Sequence, residues 1–167
     1  IPFPLSYPDG RVPRAFPRKR TQALFWAGNR YYGQRRLYLE HVEAATKTCF
    51  NPKYTQQEYI EALQSAHVGL CLFGFGFDTV RYYEIPAHGA LLLAERPPIR
   101  IPFNFVEGRD AVFFDDLPDL LVKLDDLFQN PHRIPEIACE GHRHFLRHHT
   151  ASARARQLLR HLAGRQR

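Results

Sequence analysis

Apolar residues along this chain alternate between short continuous runs and stretches with helical spacing. Residues 23–27, Ala-Leu-Phe-Trp-Ala, read as a buried strand stopped by the turn pair Gly28-Asn29. Over 35–45, Leu37, Tyr38, Val42 and Ala45 fall on a helical stripe, and 46–50 reads as another short strand. Thr55 followed by Glu58 is a capping-box pattern that opens a helix over 55–66, with Tyr59, Leu63 and Ala66 on its apolar side. The run 68–73 suits a parallel strand covered on both faces. A helix over 79–88 stops at Gly89, and strands follow at 90–94 and 111–114. Residues 117–129 are amphipathic, with Leu120, Leu121, Leu124, Leu127 and Phe128 on one side, and 135–147 and 151–162 close the chain as two helices. This alternation predicts an α/β fold: a Rossmann-like, three-layer α/β/α sandwich with a mostly parallel sheet, whose ligand edge is the carboxyl ends of the strands.

Residues 1–20 depart from this pattern. Pro2, Pro4, Pro8, Pro13 and Pro17 oppose regular structure there, so the segment reads as an extended arm or linker, with the domain proper at 21–167. The apolar runs are too short to span a bilayer, and no basic-then-apolar leader stands at the start. The sequence holds no Met, which points to a piece of something longer. Cys49, Cys71 and Cys139 are widely spaced; Cys49 and Cys71 fall in strand-like runs, where free cysteine behaves as a small buried hydrophobe. Their low, odd count argues for a reducing, cytoplasmic setting and against a zinc site.

With 44% hydrophobic and 13% aromatic residues the chain is globular rather than disordered, and its net charge of +6 favours phosphate-bearing partners. The basic residues concentrate in 11–20 and 143–167, and they lack the aromatic interleaving or reader motif of a nucleic-acid surface. The stretch with most chemical content runs from Gly74 to Leu93. A buried strand ends in the loop Gly74-Phe75-Gly76-Phe77-Asp78-Thr79, which enters a short helix carrying Arg81 and Glu84. Glycines allow close backbone approach, a helix start offers N–H groups and positive dipole, and a guanidinium there suits a diphosphate. Glu84, three positions on from Arg81, projects from nearly the same face and suits the hydroxyls of a ribose.

Residues 81–93 resemble the R-x-x-E-x-x-A-x-G-x-x-L-L segment of GT-B glycosyltransferases, in the group 1/family 4-related branch that includes spore-maturation glycosyltransferase-like proteins. Residues 59–70, the strand 107–114, the helix 117–129, and Ile137-Ala138, Gly141-His142, His149-Thr150 and Arg154 resemble the flanking elements of that family in order. The resemblance implies the C-terminal, nucleotide-sugar-binding half of a two-domain enzyme. It places the donor on Glu84 (ribose), Arg81 (phosphates), the loop residues Gly74, Gly76, Asp78 and Thr79, and Gly28 and Asn29. It gives Arg81 the catalytic role of stabilising the departing diphosphate. It further implies no metal or other cofactor, an acceptor-binding N-terminal domain of the same protein as partner, and no activity without that domain. A uridine diphosphate sugar is the donor expected by analogy. One departure stands out: many family 4 enzymes carry a second glutamate eight positions before the ribose-binding one, and that position is Gly76 here. That leaves a second reading, a catalytically degenerate module that binds a nucleotide or a partner protein.

Other constellations have simpler accounts. His142, His144, His148 and His149 lack an acidic or Cys partner at matching spacing, so no metal site is expected. Tyr82 and Tyr83 read as core. Phe73, Phe75 and Phe77 either line the pocket or plug the sheet end. Asp115-Asp116 and Asp125-Asp126 read as capping and solvated carboxylates.

Overall fold

The computed structural model describes residues 3–15, 19–50 and 53–164. Its elements are β1 (Gln22–Phe25), α1 (Arg35–Thr46), α2 (Gln56–Ser65), β2 (Ala66–Cys71), α3 (Val80–Ala87), β3 (Leu91–Glu95), β4 (Val112–Phe114), α4 (Leu117–Gln129), α5 (Arg133–His148) and α6 (Ala151–Gly164). The four strands form one parallel sheet in the order β1-β2-β3-β4, registered by the pairs Leu24 with Val68, Val68 with Leu91, and Leu93 with Val112. Because all four run the same way, the segments after Phe25, Cys71, Glu95 and Phe114 emerge on one edge.

Alternate strand residues feed two cores. On one face Phe25, Cys71, Leu92 and Phe113 pack with Leu63 of α2, Tyr82, Tyr83 and Ile85 of α3, and Phe145 of α5. On the other, Leu24, Val68, Leu70, Leu91 and Leu93 pack with Leu39 and Val42 of α1, Leu120 and Leu124 of α4, and Ile134 and Ile137 of α5. This is the three-layer α/β/α arrangement expected. The α2 capping box forms as the sequence indicates: Glu58 N–H donates to Thr55 Oγ1, and Thr55 N–H donates to the Glu58 carboxylate. Tyr82 and Tyr83 are buried in the core, as expected.

Three expectations need correction. Residues 46–50 contain no strand: α1 continues to Thr46, and Lys47, left-handed at φ 53°, turns the chain aside. Phe50 is nonetheless buried, its ring 6.0 Å from that of Trp26, so the apolar signal reflected packing without pairing. In α1 the buried stripe is Tyr38, Leu39 and Val42, whereas Leu37 is 48% exposed and Ala45 faces solvent. Cys49 is exposed for the same reason that 46–50 fails as a strand, whereas Cys71 is buried in β2.

Among its described residues the arm holds one 3-10 turn, Asp9–Arg11, and packs onto the domain. Tyr7 is buried; its N–H donates to the His149 carbonyl (3.2 Å), and Ala151 N–H donates to its carbonyl (3.0 Å). Leu5 N–H donates to Asp78 (2.6 Å), and Ser152 N–H to Asp9 (3.0 Å).

Helix α5 lies directly on the turn before β4. A Cβ added at Gly141 would stand 2.5 Å from the backbone oxygen of Asp110. Since that atom is main chain, the helix itself must retreat, and Gly141→Ala is expected to destabilise the fold by about 2 kcal/mol. Urea denaturation of the two chains checks this; an unchanged midpoint would show that α5 moves freely over that turn.

Candidate functional site at the carboxyl edge of the sheet

Two guanidinium groups meet over the ends of β1 and β2. Arg81 stands in the first turn of α3, and Arg35 is the first residue of α1. A Cβ built on Gly28, just past β1, would lie 3.2 Å from Arg81 Nη1 and 3.7 Å from Arg35 Nη1. With φ at 146°, Gly28 also holds a conformation that side chains disfavour, and this keeps the floor between the two cations open.

The partners of these cations are neutral. Arg35 donates from Nε to the Phe73 carbonyl (2.6 Å), from Nη2 to the Leu72 carbonyl (3.1 Å) and from Nη1 to the Asn29 carbonyl (3.2 Å). Arg81 donates from Nε and Nη2 to the Tyr59 hydroxyl, each at 3.3 Å, and its guanidinium lies over the Tyr59 ring at 5.7 Å from the centroid. Among the described residues no hydrogen bond or ion pair joins either guanidinium to a carboxylate. Burial, and then the charge of Arg81 beside it, lower the pKa of Arg35. An anion placed between the two would relieve that repulsion.

Glu84 lies one turn along α3 and is half-buried. The Tyr59 hydroxyl donates to its carboxylate, so Tyr59 links Arg81 to Glu84 and fixes their spacing. Burial raises the Tyr59 phenol well above its usual range, which keeps it a neutral donor. Glu95, at the end of β3, accepts from Phe73 N–H (2.9 Å), and burial raises its carboxyl pKa. A cavity of about 160 Å³ lies beside this group, lined by Gly33, Arg35, Tyr38, Phe73, Gly74 and Glu95.

The sequence-derived candidates divide into two sets. Gly28, Asn29, Gly74, Arg81 and Glu84 gather at this edge: the Asn29 carbonyl holds Arg35, and a Cβ on Gly74 would meet Arg35 Nη2 at 2.6 Å. Asp78 and Thr79 are tied into the fold. Asp78 accepts from Tyr83 Oη (2.9 Å) and from Leu5 N–H, and Thr79 Oγ1 contacts Cys71 Sγ at 3.2 Å. Gly76 sits in open space at the loop tip. The question left open for the phenylalanines divides too: Phe73 packs edge-on against Phe77 at 5.0 Å, while Phe75 is 98% exposed at the rim. Arg35 escaped the sequence reading because a first helical residue looks like a solvated charge. Its one sequence signal is position, in the first turn after the loop that leaves β1.

The histidines are occupied structurally. His144 lies between the Asp110 carboxylate (3.2 Å) and the Phe103 carbonyl (2.8 Å), His148 stacks on Phe103 at 4.7 Å, and Arg154 donates to His149 Nδ1 (2.6 Å). Among the described residues no group of three or more His, Cys, Asp or Glu could hold a metal ion, and no helix is long and apolar enough to cross a membrane. A second cavity, of about 540 Å³ and mainly apolar, lies at the opposite edge beside Ala23, His67 and Gly89 and includes none of the candidate residues.

A family described as "Glycosyl transferase-like" matches residues 16–160. The chain belongs to that family. Its fold is the Rossmann-like half of a GT-B glycosyltransferase, and the solved crystal structure of TarM shares it, with a TM-score of 0.64 at 10% identity over 96% of this chain. The chain spans 37% of the TarM chain. No curated protein matches it. The family match covers the whole carboxyl edge, from Gly28 through Arg35, Arg81 and Glu84 to Glu95.

Proposed function

We propose that this domain binds the nucleotide-diphosphate sugar of a glycosyltransferase and stabilises the diphosphate as the sugar is transferred to an acceptor. The observation that carries this reading is the convergence of Arg35 and Arg81 on Gly28 with Glu84 one turn away. A diphosphate set between the guanidinium groups places its growing negative charge against two fixed cations as the glycosidic bond breaks, which favours departure. Glu84 then meets the ribose hydroxyls, and Gly28 and Gly74 let the chain approach the phosphates closely. The acceptor and any general base belong to a further domain of a longer protein, in keeping with the share of TarM that this chain spans.

Thermal-shift titration with uridine, guanosine, adenosine and thymidine diphosphates tests the proposal. A ligand present at about one hundred times its dissociation constant stabilises the fold by ~2.7 kcal/mol. A base-selective shift that falls away in Glu84→Ala is the expected result. No shift with any of the four would overturn the reading.

A second reading, a binding module without turnover, is favoured by Gly76, which stands where many of the family 4 enzymes that the sequence resembles carry a glutamate. It predicts the same nucleotide shift but no sugar transfer by the longer protein.

A further inference from the structure

The ligand edge does not end at the two arginines. Arg35 also forms one wall of the cavity of about 160 Å³ that Tyr38, Leu72, Phe73, Gly74 and Glu95 help to close. Each arginine is tied to a carboxylate through one intermediary. The Tyr59 hydroxyl joins Arg81 to Glu84. Phe73 joins Arg35 to Glu95: its carbonyl accepts from Arg35 Nε (2.6 Å), and its N–H donates to the Glu95 carboxylate (2.9 Å). Two groups in the cavity have bonding capacity to spare. A carboxylate offers about four acceptor sites, and among the described residues Glu95 uses one, for Phe73 N–H. Tyr38 is 6% exposed, yet its hydroxyl has no hydrogen-bond partner among the described residues. Burial, and then the charges of Glu95 and Asp116, raise the pKa of its phenol, so it stays a neutral donor near the Glu95 carboxylate.

We propose that this cavity receives the sugar of the donor and that Glu95 and Tyr38 bond its hydroxyls, an inference that rests on the donor reading above. The sugar of such a donor is joined directly to the distal phosphate, so it lies against the wall that its site shares with the diphosphate. Arg35 is that wall. The space is smaller than the ~300–1,000 Å³ of a cleft that takes a whole drug-sized ligand, so it admits one ring and not a nucleoside. Its charges select a neutral guest, because Arg35 opposes a cation there and Glu95 opposes an anion. Hydroxyl groups, which donate to a carboxylate and accept from a phenol, match both unfilled groups. Ribose at Glu84, diphosphate at Arg81 and Arg35, and sugar at Glu95 then follow the covalent order of the donor itself.

Isothermal titration of the whole chain tests this. The probes are the nucleoside diphosphate that the thermal-shift titration selects, uridine diphosphate in the first instance, and its glucose, galactose and N-acetylglucosamine esters. Glu95→Gln keeps an acceptor for Phe73 N–H and removes the charge. It is expected to weaken at least one ester about 10-fold while the bare diphosphate binds as it does to the native chain. Tyr38→Phe is expected to weaken the same ester about 5-fold, again without effect on the diphosphate. It removes a hydroxyl that bonds nothing among the described residues, so its thermal unfolding should match that of the native chain. Equal losses for diphosphate and ester in both variants, or no loss for any ester, overturn the inference and leave the donor site standing. A native chain that binds none of the four nucleoside diphosphates overturns the donor reading, and this inference with it.

Discussion

Replacing both arginines, Arg35→Gln with Arg81→Gln, is expected to weaken binding of a nucleoside diphosphate by about 1000-fold while leaving the weaker affinity for the bare nucleoside nearly unchanged. A charge-assisted hydrogen bond contributes roughly 1.5–3 kcal/mol, so two lost together remove about 4 kcal/mol. The two substitutions should not act alike alone. Arg81 is held by one neutral hydroxyl, so Arg81→Gln loses mainly the ligand contact. Arg35 also braces the Leu72, Phe73 and Asn29 carbonyls, so Arg35→Gln loosens the ends of β1 and β2 as well. Arg35→Lys keeps the charge but cannot reach all three carbonyls, and an intermediate affinity is expected from it. Isothermal titration with the diphosphate and the nucleoside separates the effects. If both ligands lose affinity equally, the arginines shape the pocket and do not hold phosphate.

Lowering the pH from 7 to 5 is expected to destabilise the fold by about 4 kcal/mol through two buried histidines. His149 and His88 are depressed from 6.5 to about 2 and about 4, in both cases first by burial and then by a neighbouring arginine, Arg154 or Arg20. Arg154 donates to His149 Nδ1, which must therefore carry no proton, and the Tyr7 hydroxyl lies 3.0 Å from His88 Nε2. At pH 5 the unfolded chain protonates both rings while the folded chain leaves both largely neutral. The unfolded state thus binds more protons, and stability falls as pH drops below 6.5, at about 1.4 kcal/mol per histidine per pH unit. Loss through His88 levels off near pH 4, where the folded ring also takes a proton, whereas that through His149 continues lower. Glu95, whose carboxyl is raised by burial, works in the opposite direction. Urea unfolding at both pH values, with His149→Gln and His88→Gln, isolates the two contributions. A wild-type stability that does not change between pH 7 and 5 would remove this account.

The layer order was legible in the sequence because strand and helix periods differ so clearly here. Runs such as Val68 to Leu72 and Leu91 to Ala94 are continuous, α4 has a clean stripe, and the capping box of α2 is local chemistry. Residues 46–50 misled because Phe50 is apolar for packing on Trp26, and no period marks the left-handed Lys47 that diverts the chain. Of the charged groups gathered at the carboxyl edge, Arg81 and Glu84 were visible because they share one short helix with a glycine-rich loop. Arg35 was not, since its closeness to Arg81 comes from the parallel pairing of β1 with β2 across more than forty intervening residues. Asp78 was picked out by its position in the loop alone. Its partners, Leu5 and Tyr83, come from the arm and from the far side of α3, and only the folded chain shows that the carboxylate is engaged.

The arm is a mechanical link. It is fastened at one end to Asp78, in the loop that leads from β2 into α3, and at the other to His149, Ala151 and Ser152, where α5 gives way to α6. The span between these fastenings is only a few residues of chain with little slack, so the loop and the helix junction cannot separate without breaking one of them. Tyr7, midway along that span, is also part of the core beside Phe145, so the loop, the arm and the start of α6 are held together as one unit.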